Sequence, residues 1–280
     1  MNDTSHTDQF KQVQRELFSR LINRNSKKYK SFLWFLRFFK YASMDADRGN
    51  LLEAYYVFMR YVDDVIDGDA PLPARYTSKV DFLAEKLRFT NTLNNPLDDA
   101  DQVFLYCQYL QQKTGISLND ETKDILMAMY FDAKRVGTAT QATQQELDDH
   151  YFMLDIRGTI RATLKVFGED PDKVGFLVPL GRATRIQYDL EDLSSDLQAG
   201  IINIPSEDMI KYKLGDRAHS DNGNLDIWTM EKAREGMMLL DEHRIQLPKA
   251  GFRLLTRATL KWVYEYPAHK YFKSVLNKTD

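Results

Sequence analysis

The sequence predicts an all-α protein: one helical domain over residues 1–280, with a loose segment at 1–19. Three observations carry this. Apolar residues recur at three- and four-residue steps along most of the chain. Alternating strand-like runs are scarce, and IINIP at 201–205 is too short to build a sheet. Helix starts and stops also fall between the periodic stretches, where residue chemistry allows them.

In chain order, the first strongly periodic stretch sets Leu51, Ala54, Tyr55, Phe58, Met59 and Val62 on one face. Gly68 follows it and can take the left-handed conformation that ends a helix. Pro71-Leu72-Pro73 keeps the next residues out of helix. Helical spacing resumes at 79–90 and, after the break at Asn95-Pro96, at 100–113 and 121–136. Thr143 and Glu146 are spaced as a capping box opening 144–167. Asp170-Pro171 supplies a cap and a first-turn proline for 172–198. Pro205-Ser206 starts a further helix, and 226–245 and 251–265 complete the series. The total expected is about eight to ten helices.

Composition narrows the function classes. Charged residues make up 28% and the net charge is −3, so global charge offers no reason to expect a nucleic-acid partner. The lone cysteine, Cys107, sits in an apolar run and reads as a core thiol. With one cysteine and a polar start, the chain is expected to be cytoplasmic. The five histidines form no HExxH pair, and neither a GxGxxG nor a Walker loop occurs. Residues 11–40 hold nine Lys or Arg against one acid, Glu16, around the run SFLWFLRFF. That segment reads either as a core helix with solvated cations or as a peripheral membrane contact.

Two acidic clusters stand out. Tyr61-Val62-Asp63-Asp64-Val65-Ile66-Asp67 ends an apolar helix pattern, where acids oppose the helix dipole. Asp63 and Asp67 are four apart and share a face. Asp189-Leu190-Glu191-Asp192-Leu193-Ser194-Ser195-Asp196 repeats the spacing at Asp192 and Asp196. Buried carboxylates need a positive partner. Two such pairs of hard oxygen ligands suit Mg²⁺, which keeps several waters and accepts phosphate oxygens. A diphosphate held this way is a leaving group. The resulting allylic carbocation needs a dry, aromatic cavity, for which the chain has 16 Phe, 15 Tyr and 3 Trp.

On these residues the sequence resembles the squalene/phytoene synthase family. YYVFMRYVDDVID is similar to that family's first aspartate motif, including Arg60, and LGRATRIQYDLEDLSSDLQAGIINIP to its second. MAMYFDAKR and ELDDHYFMLDIRGTI are similar to the helices between them, with Asp132, Tyr151 and Gly158-Thr159 in register. The resemblance covers about residues 20–265. It implies an isoprenoid-synthase helical bundle with a central cavity. Asp63, Asp67, Asp192 and Asp196 would ligate two or three Mg²⁺ ions. Arg60, Asp64, Tyr151, Arg157, Arg161, Arg185 and Tyr188 would contact substrate. Farnesyl or geranylgeranyl diphosphate is the substrate expected, and head-to-head coupling of two prenyl diphosphates is the leading reaction. Use of NADPH stays open.

The second motif departs from the family pattern. Tyr188 stands where Asn is usual, Glu191 where Arg is usual, and Ile201 replaces a second Arg. A motif with less positive charge is less suited to two diphosphates. Arg157, Arg161, Arg182 and Arg185 could compensate. The alternatives are single-diphosphate chemistry (transfer to a second small-molecule acceptor such as an aromatic, cyclisation or hydrolysis) and a non-catalytic assembly factor. The family's N-terminal serine contact corresponds at best to Ser26-Lys27-Lys28-Tyr29.

Overall fold

The computed structural model describes residues 3–23, 38, 40, 45–215 and 223–277, with side chains from residue 7 onward. Within them the chain is helical and no strand occurs. The sequence reading expects one domain; the structure divides into two compact units, Met1–Tyr130 with Lys165–Gly168, and Phe131–Leu164 with Glu169–Asp280.

The first unit is built on α1 (Asp3–Asn23), α2 (Ala46–Asp67), α3 (Lys79–Thr92), α4 (Asp99–Thr114) and most of α5 (Asn119–Arg135). Residues 1–19, expected to be loose, are largely in α1, which packs on α2 and α4. Leu17 and Phe18 are buried there, and Gln14 donates to Glu53 at 2.7 Å. The sparse apolar spacing hid this, because few residues of α1 face inward. The run at 31–37 and Ser26–Tyr29 lie outside the described residues. α2 buries Leu51, Ala54, Tyr55, Phe58, Val62 and Val65 and packs on α4, with the Phe58 and Phe104 rings 5.2 Å apart. Cys107 is buried, and burial pushes its thiol well up, as suits an inert core residue. Lys86 is fully buried among Tyr76, Phe82 and Phe89, paired with Asp98 at 2.6 Å and with Asp101.

The second unit starts with α6 (Gln144–Tyr151), whose Thr143 and Glu146 form the expected capping box. It continues as a π-helical stretch, Phe152–Ile160, and then α7 (Arg161–Phe167). The stretch expected as one helix over 172–198 differs. Pro171–Leu177 is 3₁₀ helix, and the α-helix α8 runs Val178–Gln198. Pro179 near its start has no N–H with which to extend an α-helical ladder backward. Ser206–Lys211 forms the short α9. α10 (Asn224–Ala250) outruns its expected span and ends at Gly251, φ +63°. Leu254–Thr259 (α11), a π-helical turn over Leu260–Glu265 and α12 (Tyr266–Leu276) follow. α10 packs on α8 and α12. The approach is close because Gly236 has no side chain: a Cβ there would lie 2.3 Å from the Phe272 ring. No described helix is long and apolar enough to cross a membrane.

Candidate active site

The first acidic motif ends α2. Asp45 caps that helix by accepting from the amides of Asp47 and Arg48, and Gly68, φ +89°, stops it. Lys79 donates to the carbonyl of Ile66 in the last turn, offsetting the negative helix end. Asp64 is buried, Asp63 is half-buried and Asp67 is exposed. A positive partner is present in the chain itself. Arg60 Nη1 lies 2.5 Å from Asp63, Arg60 Nε 2.9 Å from Asp64, and Nη2 3.7 Å from Asp69. Arg60, expected to meet substrate, thus sits as counter-ion to the motif's carboxylates.

The second motif lies on α8. Asp189 faces a cavity of about 290 Å³ within the second unit, together with Tyr151, Asp155, Arg185, Trp228 and Lys232. Arg185 makes a two-pronged bond to Asp155, 2.8 and 2.9 Å, and comes within 3.6 Å of Asp189. Its guanidinium lies 5.0 Å from the Tyr151 ring centre and 6.0 Å from that of Tyr188. Burial works against the charge of Arg185, but Asp155 and Asp189 overcome it and hold the side chain firmly protonated. Burial pushes Asp189 up to about 7, aided by Asp155 and opposed by Arg185 and the Tyr151 hydroxyl.

Asp192 and Asp196 stand one turn apart further along α8, both half-buried. Burial first, then the charge of Asp192, raises Asp196 to about 6. Asn203 donates to Asp196 at 3.2 Å, and Arg135 Nη1 donates to Asn203 at 3.3 Å. Arg135 also donates to the carbonyl of Ile202 and lies 3.7 Å from Asp132, which His150 Nε2 approaches at 3.2 Å. Behind this network two glycines meet back to back. Gly137 N bonds Ala199 O at 3.2 Å, Ala139 N bonds Gly200 O at 3.1 Å, and a Cβ on Gly200 would sit 3.1 Å from Gly137 Cα.

The donor chemistry fits a hard divalent cation. Asp192 and Asp196 present carboxylate oxygens whose mutual repulsion such an ion would relieve. Among the described residues no three acidic, His or Cys groups converge tightly enough to hold an ion alone. An ion here would complete its shell with water and phosphate oxygens, as Mg²⁺ commonly does.

Of the residues expected to contact substrate, Tyr151 and Arg185 line the cavity. Tyr188 stacks near Arg185, Arg157 is exposed, and Arg161 is half-buried at the start of α7. Sequence reasoning missed Asp155, Arg135 and Asn203. Asp155 carried a readable signal, since it is the one acid inside the apolar run FMLDI. Arg135 and Asn203 carried none, because their importance lies in a contact 68 residues apart.

The family model for squalene/phytoene synthase matches residues 26–279, nearly the whole chain. The chain belongs to the squalene/phytoene synthase family. It is therefore an enzyme, a prenyltransferase of the squalene/phytoene synthase type. Its fold is similar to that of squalene synthase HpnC from Alicyclobacillus acidocaldarius, with TM-score 0.65 and 15% identity over 98% of this chain and 94% of that one. It is also similar to a dehydrosqualene synthase solved in complex with ligand, with TM-score 0.61 and 18% identity over 98% and 99% of the two chains. No curated protein matches the sequence significantly. Around its second motif this enzyme carries Tyr188, Glu191 and Ile201 in the sequence and the Asp155–Arg185–Asp189 cluster in the cavity.

Proposed function

We propose that this enzyme ionises an allylic prenyl diphosphate, farnesyl or geranylgeranyl, in a Mg²⁺-dependent reaction. Asp63, Asp67, Asp192 and Asp196 would hold the metal. The observation that carries the reading is the pair Asp192 and Asp196, oxygen donors one turn apart, where burial first and then the charge of Asp192 raise Asp196 to about 6. When bound, the metal would neutralise diphosphate charge and ease its departure. The chain's own residues orient the donors. Arg60 fixes Asp63 and Asp64, and Asn203, backed by Arg135, fixes Asp196.

Head-to-head joining of two prenyl diphosphates is the leading single reaction, supported by family membership. A second reading, chemistry on one diphosphate, is favoured by Arg185. That half-buried cation is already balanced by Asp155 and Asp189, so it adds little free positive charge for a second diphosphate. Prenyl transfer to a small acceptor, cyclisation and hydrolysis all fall under this reading.

One experiment tests both. The protein is incubated with labelled farnesyl or geranylgeranyl diphosphate, with and without Mg²⁺, and extracted products are read by mass. A dimeric hydrocarbon establishes head-to-head coupling. A monomeric alcohol or cyclised product establishes single-diphosphate chemistry. Turnover that ignores Mg²⁺, or unchanged activity in Asp192→Ala, overturns the metal assignment.

A further inference from the structure

The helical run from Leu254 to Leu276 has two chemically opposed faces. One is buried in the second unit through Thr256, Thr259, Leu260, Ala268 and Phe272. The other is exposed and carries Arg253, Arg257, Lys261, Lys270 and Lys273. Between Arg253 and Asn277 the sequence has one acid, Glu265. That acid is buried and bound by Arg244 of α10 at 2.7 Å, so it does not balance the exposed cations. None of the five cations takes part in an ion pair among the described residues. Elsewhere in the same unit some exposed bases are paired, Arg244 with Asp241 and Lys211 with Glu231. Unbalanced positive charge is thus gathered on one face of a chain whose net charge is −3.

Large apolar side chains share that face. Leu254 is 75% exposed, Trp262 63% and Tyr266 53%, and the Trp262 and Tyr266 rings lie 5.6 Å apart. The π-helical turn over Leu260–Glu265 inserts an extra residue into the helical register. Arg257, Lys261 and Trp262, before and within that turn, are exposed, as are Tyr266, Lys270 and Lys273 after it. Tryptophan and tyrosine flanked by lysine and arginine have the composition of a helix lying in a membrane interface. Each ring places an apolar body among acyl chains and a polar edge among headgroups.

We infer that the exposed face of Leu254–Leu276, through Arg257, Lys261, Trp262, Tyr266, Lys270 and Lys273, docks on an anionic phospholipid bilayer. Charge complementarity selects the anionic surface. The exposed aromatic and aliphatic groups select a bilayer over a nucleic-acid backbone, which would bind the cations but leave Leu254 and Trp262 in water. This contact is distinct from the membrane reading of residues 11–40, and it does not depend on which reaction the enzyme catalyses.

The test uses the full chain and vesicles of phosphatidylcholine with or without phosphatidylglycerol, read by co-sedimentation. Binding is expected to phosphatidylglycerol vesicles and to fade in high salt. Each cation near an anionic surface is worth about a fivefold change in partitioning. Arg257→Gln with Lys261→Gln should therefore weaken binding by about 25-fold, with unchanged circular dichroism and unchanged Mg²⁺-dependent turnover. Brominated acyl chains should quench the tryptophan emission of the wild type and not that of Trp262→Phe. Three results each overturn the inference: equal binding to vesicles without phosphatidylglycerol, undiminished binding by the Gln double variant, and salt-sensitive binding to duplex DNA with none to vesicles.

Discussion

Arg185→Met would test whether charge balance holds the cavity of the second unit together. Methionine keeps an unbranched side chain and removes the cation. Asp155 loses hydrogen bonds of 2.8 and 2.9 Å, and Asp189 loses a counter-charge at 3.6 Å. Taking one partner from a fully buried ion pair costs about 3–5 kcal/mol, and this half-buried cluster should lose about 2–3 kcal/mol. The cost depends on pH, and Asp189 fixes the sign. Its folded value of about 7 lies above the ordinary 3.8. The native state therefore holds an extra proton between those values, and this group's contribution to stability is lost as pH rises through that window. Removing Arg185 removes the attraction that pulls Asp189 down, so in the variant the window extends upward. At about pH 6 the carboxyl is mostly protonated in both proteins, while at about pH 8.5 only the wild type meets the ionised form with a cation. The variant's deficit should grow across that interval by up to about 1.4 kcal/mol per pH unit. Urea unfolding at the two pH values measures it. A deficit under about 1 kcal/mol, or one equal at both pH values, would refute the reasoning.

Three further outcomes are expected. Asp196→Asn should raise the melting temperature measured without metal, because it removes a carboxylate that burial and Asp192 both disfavour, and should abolish any thermal shift produced by Mg²⁺. In the wild type that Mg²⁺ shift should shrink as pH falls below about 6, where a proton competes for Asp196; calorimetric melting with and without Mg²⁺ reads both. Gly236→Ala should destabilise by about 1–3 kcal/mol in denaturant unfolding, since its Cβ meets the fully buried Phe272 ring. Thr143→Ala should cost about 1 kcal/mol, the usual worth of an N-cap, read by the same unfolding.

Much of the fold was legible because it is written locally. Helical spacing, Gly68 as a left-handed stop and the Thr143–Glu146 box each involve residues within a few positions of one another. The errors also have physical causes. α1 has too few inward-facing residues to show a strong stripe, and Pro179 turns the start of an expected long helix into a 3₁₀ segment. For the site, the carboxylates were visible from their four-residue spacing, but their partners were not all visible. Arg60 is three and four residues from Asp63 and Asp64, so spacing alone could have exposed that pairing. Asp155 with Arg185, and Arg135 with Asn203, join residues 30 and 68 positions apart, and no local pattern announces either pair.

The back-to-back glycines at 137 and 200 carry a mechanical consequence. Gly137 lies two residues beyond Arg135, the last residue of α5, and Gly200 closes the turn after Asp196, whose carbonyl accepts from Ile201 at 2.8 Å. With no side chain between them, the two backbones are in direct contact, so a displacement of one loop is transmitted to the other instead of being absorbed by a soft side chain. The loop at 136–139 therefore acts as a lever on the end of α8. A substitution there, remote in sequence from every aspartate, would be felt as a change in the aim of Asp196.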